Sequence, residues 1–228
     1  MSIRILLIGV STILLSDIAS ALVIDNFGDG DLSLTAFSLS GETAIQGGLD
    51  TSSVVGGVRR AHAGTLSGGN ATLDIDSTGE LFEFHAVSSF GYFNLAYGTE
   101  APLHVDLSAD GADAFELDFT HVTPGLFRGT YSMNLGSSSG SAVRYFAQEL
   151  FALNGPGIVR IPFSDFPNVD FTEVLEISVN AVRVEPGYEI SLGSIRTVPE
   201  PASACIVALA IVGVCLKRHT SCITRRCS

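Results

Sequence analysis

Phe115-Glu116-Leu117-Asp118-Phe119-Thr120 alternates apolar and polar side chains without a break. Successive side chains of a strand point to opposite faces, so a period of two means one buried face and one wet face. The same period runs through Leu73-Asp74-Ile75-Asp76 and Phe82-Glu83-Phe84-His85-Ala86. Outward from these segments, further strands are expected at 54–59, 92–97, 103–107, 128–133, 143–151, 157–163, 174–184 and 188–195. Turn clusters separate them, among them Ser67-Gly68-Gly69-Asn70, Ser108-Ala109-Asp110-Gly111, the Gly136–Gly140 stretch and Asn154-Gly155-Pro156-Gly157. No stretch holds an apolar 3.6-residue period for three turns. Many short strands without crossover helices predict an all-β fold, an antiparallel β-sandwich of the jelly-roll kind.

The two flanks differ from this interior. Arg4, an apolar run over 5–15 and then Ala19-Ser20-Ala21 supply the three parts of a secretory signal, with cleavage after Ala21 leaving Leu22 as the new N-terminus. At the other end, residues 202–216 are uncharged and are followed by Lys217-Arg218 and then Arg225-Arg226. As a helix these 15 residues reach about 22 Å. Snorkelling of Lys217 and Arg218 extends that reach towards a hydrocarbon core of about 30 Å. The positive charge after the run holds that end in the cytoplasm and places everything before it outside. Just ahead of it stands Val198-Pro199-Glu200-Pro201, whose prolines stop the helix from growing backwards and favour extended backbone. The expected organisation is a signal peptide at 1–21, a sandwich domain at 22–196 and a C-terminal signal at 197–228, with a short transmembrane helix at 202–216 and a basic tail.

Charge and cysteine follow the same division. The 228-residue chain carries a formal net charge of −12, and residues 22–198 hold 22 acidic residues against seven arginines and no lysine, a net charge of −15. Affinity for a phosphate backbone comes from lysine and arginine, so nucleic-acid binding is excluded as an expectation. All four cysteines (Cys205, Cys215, Cys222 and Cys227) lie in the tail. An exported domain of this size can bury enough surface to fold without disulfides.

Val-Pro-Glu-Pro, a short Ala/Leu/Val-rich run and a terminal basic cluster, in that order, resemble the PEP-CTERM sorting domain of exported bacterial proteins. The resemblance covers about residues 197–228. It implies recognition by an exosortase, a membrane cysteine protease-transpeptidase, with processing near Pro199-Glu200-Pro201 and release or attachment at the cell surface. Signal peptidase and the Sec machinery would act first, and the membrane would be a transient partner. A second resemblance spans more of the chain. Val23-Ile24-Asp25-Asn26-Phe27, the stretch from Val159 through Ile161-Pro162-Phe163 to Phe166, and Tyr188 through Leu192 to Ile195 are similar to galactose-binding-like jelly rolls, which include carbohydrate-binding modules. It implies that the first and last strands pair, and that the Ile-Pro-Phe strand feeds a turn. The structural calcium common in those families would sit at positions matching Gly28 and Gly193, which lack the oxygen-bearing side chains.

Candidate chemistry inside the domain is sparse. Asp25, Asp29 and Asp31 could offer oxygens to calcium, but an acidic glycine-rich loop reads first as solvated. Asp74-x-Asp76-x-Thr78-Gly79 opens like an EF-hand loop, yet its twelfth position is His85 where the loop needs a glutamate. Gly136-Ser137-Ser138-Ser139-Gly140 matches G-x-S-x-G, but a nucleophile elbow needs a following helix and a downstream acid and histidine. The downstream histidine is His219, in the tail. His62, His85, His104 and His121 show no ligand spacing. No cofactor, metal or catalytic residue is therefore expected. Saccharide binding needs aromatic faces for sugar rings; with no tryptophan, Tyr92, Tyr97, Tyr131 and Tyr145 are the candidates. The expected function is a non-catalytic bacterial cell-surface or matrix protein sorted through its C-terminus. The alternative is a carbohydrate-binding module associated with extracellular polysaccharide.

Overall fold

A computed structural model describes residues 21–124 and 129–199. In chain order the strands are β1 (Val23–Asp25), β2 (Leu32–Phe37), β3 (Gly41–Gly47), β4 (Val58–Thr65), β5 (Asn70–Asp76), β6 (Leu81–Ala86), β7 (Gly91–Tyr97), β8 (Ala112–Val122), β9 (Thr130–Ser137), β10 (Gly140–Tyr145), β11 (Gly157–Pro162), β12 (Val174–Val184) and β13 (Tyr188–Pro199). One helix, α1 (Ala147–Leu153), lies between β10 and β11. The strands form two sheets, ordered β11-β8-β13-β6-β5-β2 with β1 added to β13, and β10-β9-β12-β7-β4-β3. Every strand pairing among the described residues is antiparallel. The all-β, two-sheet sandwich expected from the alternation is the observed architecture.

The core fills the space between the sheets, and its composition follows the alternation. Leu73 and Ile75 of β5, Phe82 and Phe84 of β6, and Phe115, Leu117 and Phe119 of β8 all point inwards and are buried. Phe82 and Phe84 each meet Phe93 of β7 at 5.1 Å between ring centres, which ties the two layers together. A second aromatic group joins Phe115 to Phe163, Phe166 and Phe171, with Phe163 and Phe171 stacked at 4.0 Å.

Several expected elements differ. The 143–151 segment divides into the edge strand β10 and helix α1, because Ala147-Gln148-Glu149-Leu150 are good helix formers and one apolar side chain, Leu150, is enough to pin a short helix. Asn154, left-handed at φ +48°, closes that helix. Residues 103–107 contribute a single bridge, Val105 to Val174. The strand expected at 54–59 begins at Val58, after a 3₁₀ turn over Val55–Gly57. β2 and β3 were not anticipated.

The chain ends meet. β1 pairs with β13, as the second resemblance implies, and the Thr197 N–H donates to the Leu22 carbonyl at 2.9 Å. β13 runs on through Pro199 along β8, and Arg160 donates to the Pro199 carbonyl while pairing with Asp113. The signal-peptide helix, Ala19, Glu200, Pro201, the transmembrane helix at 202–216 and Lys217, Arg218, Arg225 and Arg226 lie outside the described residues. Among the described residues, no helix is long and apolar enough to cross a membrane.

Candidate functional site

The outward face of the six-stranded sheet carries an unusual row. Register aligns Tyr145 with Ser132, Ser132 with Asn180, Asn180 with Asn94, Asn94 with His62 and His62 with Thr43, crossing every strand from β10 to β3. Strands lie about 4.8 Å apart, so the row is about 24 Å long. The next row towards the β12 C-terminus runs Thr130, Val182, Tyr92, Gly64 and Gly41, and the row on the other side includes Asn134, Ser178, Ala96 and Arg60.

Two rings lie down on this surface, and two glycines let them. A Cβ at Gly64 would stand 2.1 Å from Tyr92 Cζ, and one at Gly41 would stand 2.7 Å from His62 Cε1. Tyr92 and His62 therefore rest flat over β4 and β3, in the volume that any larger residue at those positions would fill. Their ring centres are 5.3 Å apart and their planes are tilted by 32°. The Thr43 hydroxyl meets His62 Nδ1 at 2.6 Å, and Nε2 lies 3.3 Å from the Tyr92 hydroxyl, so the imidazole is held from both sides. Burial, followed by the Arg60 charge, pushes the His62 pKa below its usual value, which keeps the ring neutral at pH 7.

Beside the rings the row offers neutral amides and hydroxyls. Asn94 Nδ2 donates to Asn180 Oδ1, and Asn180 Nδ2 donates to Ser178 Oγ at 3.2 Å. Asn134 Oδ1, in the neighbouring row, is buried and has no hydrogen-bond partner among the described residues. The arrangement combines a planar apolar platform with fixed donors and acceptors and no carboxylate in the central row. That chemistry suits a ligand with both a C–H face and hydroxyl groups.

The four candidate tyrosines divide cleanly. Tyr92 and Tyr145 stand on this outward face, whereas Tyr97 and Tyr131 are buried. Of the histidines among the described residues, only His62 joins the face. His85 lies on β6 of the other sheet, opposite Thr72 and Glu189, and His121 lies near the end of β8.

The carboxylates of the acidic loop are engaged within the chain. Asp25 is fully buried: Oδ1 accepts the Phe27 N–H at 2.8 Å, and Oδ2 accepts the Tyr97 hydroxyl at 2.8 Å and faces Arg59 Nε at 3.4 Å. Arg59, also fully buried, donates to the Asp29 carbonyl at 2.5 Å, and its guanidinium carbon lies 5.7 Å from the Phe27 ring centre. The Asp29 carboxylate accepts the Asp50 N–H, and Asp31 accepts both the N–H and the hydroxyl of Ser77. Each carboxylate considered for calcium is thus engaged by the chain itself. Among the described residues, no group of three or more His, Cys, Asp or Glu side chains is placed to hold a metal ion. The EF-hand-like stretch is β5 and the turn after it, where Asp76 accepts the Thr78 N–H.

Gly136–Gly140 is the β9–β10 hairpin turn. Ser138 Oγ donates to Glu173 Oε2 at 2.7 Å, and His104 Nδ1 lies 3.5 Å from Glu173 Oε1. The carboxylate sits between serine and histidine, so the imidazole is not placed to take the serine proton and the triad order fails. Ala21, of the expected signal-peptide cleavage site, precedes β1, and Val198 and Pro199, of the expected sorting motif, form the half-buried end of β13.

No protein-family model matches the chain, and no curated protein matches it. Among solved structures it is similar to the family 11 carbohydrate-binding module of cellulosomal cellulase Lic26A-Cel5E of Clostridium thermocellum, at 11% identity over 80% of this chain and 96% of that one, with a TM-score of 0.38. It is also similar to CtCBM11 in solution (13% identity, 82% and 99% coverage, TM-score 0.41). A third is the family 30 module of cellulase Cel9D-Cel44B of Clostridium thermocellum (12%, 53% and 75%, TM-score 0.37). Likenesses at this level assign neither a ligand nor a site to this chain.

Proposed function

We propose that the sandwich is a non-catalytic glycan-binding domain, and that the outward face of the six-stranded sheet is its binding surface. The observation that carries this reading is Tyr92 lying flat over Gly64 beside a row of neutral amides. A sugar ring stacks its C–H face on the phenol while Asn94 and Asn180 meet its hydroxyls. Polysaccharide affinity electrophoresis and a glycan array with the purified protein test this. Saturable binding that weakens at least about tenfold in Tyr92→Ala, a loss of about 1.4 kcal/mol, is expected. Absence of competable binding, or binding indifferent to Tyr92→Ala, refutes it.

The same reading makes the protein an exported surface component delivered by its C-terminal signal. Support comes from the order of Val198-Pro199-Glu200-Pro201, the apolar run and the basic cluster. The hydrogen bond between Leu22 and Thr197 is consistent with it, since it puts the two junctions with the flanking signals side by side. Intact-mass measurement of surface-released protein should show both ends removed. A mature form still carrying Arg225-Arg226 overturns the sorting reading.

A further inference from the structure

The binding face does not end at Tyr92. Val182 is the cross-strand neighbour of Tyr92, and with Leu66, Phe90, Gly129, Thr130 and Arg183 it lines an open pocket of about 860 Å³. Leu66, Phe90 and Val182 are each about two-fifths exposed, which gives this end of the face an apolar wall. Arg183 reaches the pocket because β12 breaks register between Val182 and Val184. The bulge turns two consecutive side chains, Val182 and Arg183, outwards, and it holds Arg183 at φ +61°. A long side chain in left-handed backbone is strained, and such strain concentrates where a side chain must be aimed.

The charge at this position is also distinctive. In a domain rich in acidic residues, Arg144 pairs with Glu149 and Asp165, Arg160 with Asp113, Arg196 with Glu116, and Arg59 with Asp25. Arg60 and Arg183 form no ion pair with a described residue, and of the two Arg183 is the exposed one. An exposed guanidinium with no ion-pair partner among the described residues, beside an apolar wall, fits a ligand group that is itself both apolar and anionic.

We infer that this pocket binds a sugar unit bearing a single carboxylate, such as a uronic acid, at one end of the chain lying across the face. The ring packs on Phe90, Leu66 and Val182, and the Arg183 guanidinium takes the carboxylate as a two-pronged hydrogen-bonded pair. A net charge of −15 over residues 22–198 repels densely charged polymers, so the carboxylate belongs to an otherwise neutral chain. The inference rests on the glycan-binding reading and adds the ligand class to it.

The test uses the purified protein and matched oligosaccharide pairs of one linkage, each a neutral hexose oligomer and its counterpart with one C6-carboxylate, titrated calorimetrically at low and high salt. The carboxylated member should bind about tenfold tighter at low salt, with the advantage shrinking as salt rises. Arg183→Asn, which suits the left-handed backbone, should abolish that advantage by weakening the carboxylated member far more than the neutral one, whereas Tyr92→Ala should weaken both. Equal binding of the two members, or an equal loss of both in Arg183→Asn, overturns the carboxylate assignment and leaves glycan binding standing. Binding of neither member of any pair overturns both.

Discussion

Asp25 should make the domain less stable at neutral pH than in mild acid. Desolvation raises its pKa to about 6 from an ordinary 3.8, outweighing the opposing pull of Arg59, the Phe27 N–H and the Tyr97 hydroxyl. Because the folded pKa lies above the unfolded one, the native state binds the extra proton between these two values. Stability is therefore greatest below pH 3.8 as far as this group is concerned, falls through the window from 3.8 to 6, and is level above it. The full difference is about 3 kcal/mol, and about 2 kcal/mol of it falls between pH 4.5 and 7. Hydrogen bonds from Ser77, Ser52 and Thr172 lower the pKa values of Asp31, Asp50 and Asp170, so these groups act below the window, in the opposite sense.

Urea denaturation of wild type and Asp25→Asn at fixed ionic strength, at steps from pH 4.5 to 7.5, isolates the effect. His62 titration and general charge repulsion are common to both proteins and cancel in the difference. Wild type should lose about 2 kcal/mol more than the variant on going from pH 4.5 to 7. Should Asp25→Asn fail to fold because Arg59 is left as an uncompensated buried charge, Asp25→Asn/Arg59→Met removes both charges and serves as the reference. Parallel stability profiles for wild type and reference would refute the assignment.

Four other outcomes follow from the contacts described. Tyr97→Phe removes the hydroxyl that donates to Asp25 Oδ2 and should cost about 1–2 kcal/mol in urea denaturation, with the pH slope steepened. Gly64→Val places a side chain where the Tyr92 ring lies, so glycan affinity should fall while the melting temperature shows that the sandwich persists; unchanged affinity would contradict the platform role. Arg160→Gln frees the Pro199 carbonyl, and limited proteolysis read by mass spectrometry should then cut faster between 197 and 201, with equal rates counting against a clamping role. Because the oxygens of Asp25, Asp29 and Asp31 are engaged within the chain, adding calcium or EDTA should leave the melting temperature in place, and a calcium-dependent rise would expose a site.

Strands with one wet and one buried face were readable because alternation reports that asymmetry directly, as in β5, β6 and β8. β3 escaped because Gly41-Glu42-Thr43-Ala44-Ile45-Gln46-Gly47 lies at a sheet edge, half-buried at most, and so carries no alternating pattern. Helix α1 has seven residues, fewer than a 3.6-residue period needs to declare itself. The Tyr92–His62 platform depends on β4 and β7 lying side by side, a register between segments about 30 residues apart that no local pattern encodes. Its available signal was negative: a glycine inside a strand marks a place where something approaches closely, and Gly64 is such a residue.

Arg59 was legible by the same alternation and shows what that pattern can carry. In Val58-Arg59-Arg60-Ala61-His62-Ala63, the small apolar residues at 61 and 63 mark the inward face, so a period of two sends Arg59 into the core and Arg60 and His62 outwards. A buried guanidinium needs a countercharge. The acidic loop nearest the first strand supplies it, through Asp25 and the Asp29 carbonyl. The loop expected first as solvated thus differs in part, since the Asp25 carboxylate and the Asp29 carbonyl turn to an arginine of the chain itself. The same strand sends its alternate residues to the opposite surface, where His62 helps form the platform. β4 therefore couples the buried ion pair to the outward face of its sheet, and a change that shifts Arg59 along the strand axis should be felt at His62 and Tyr92.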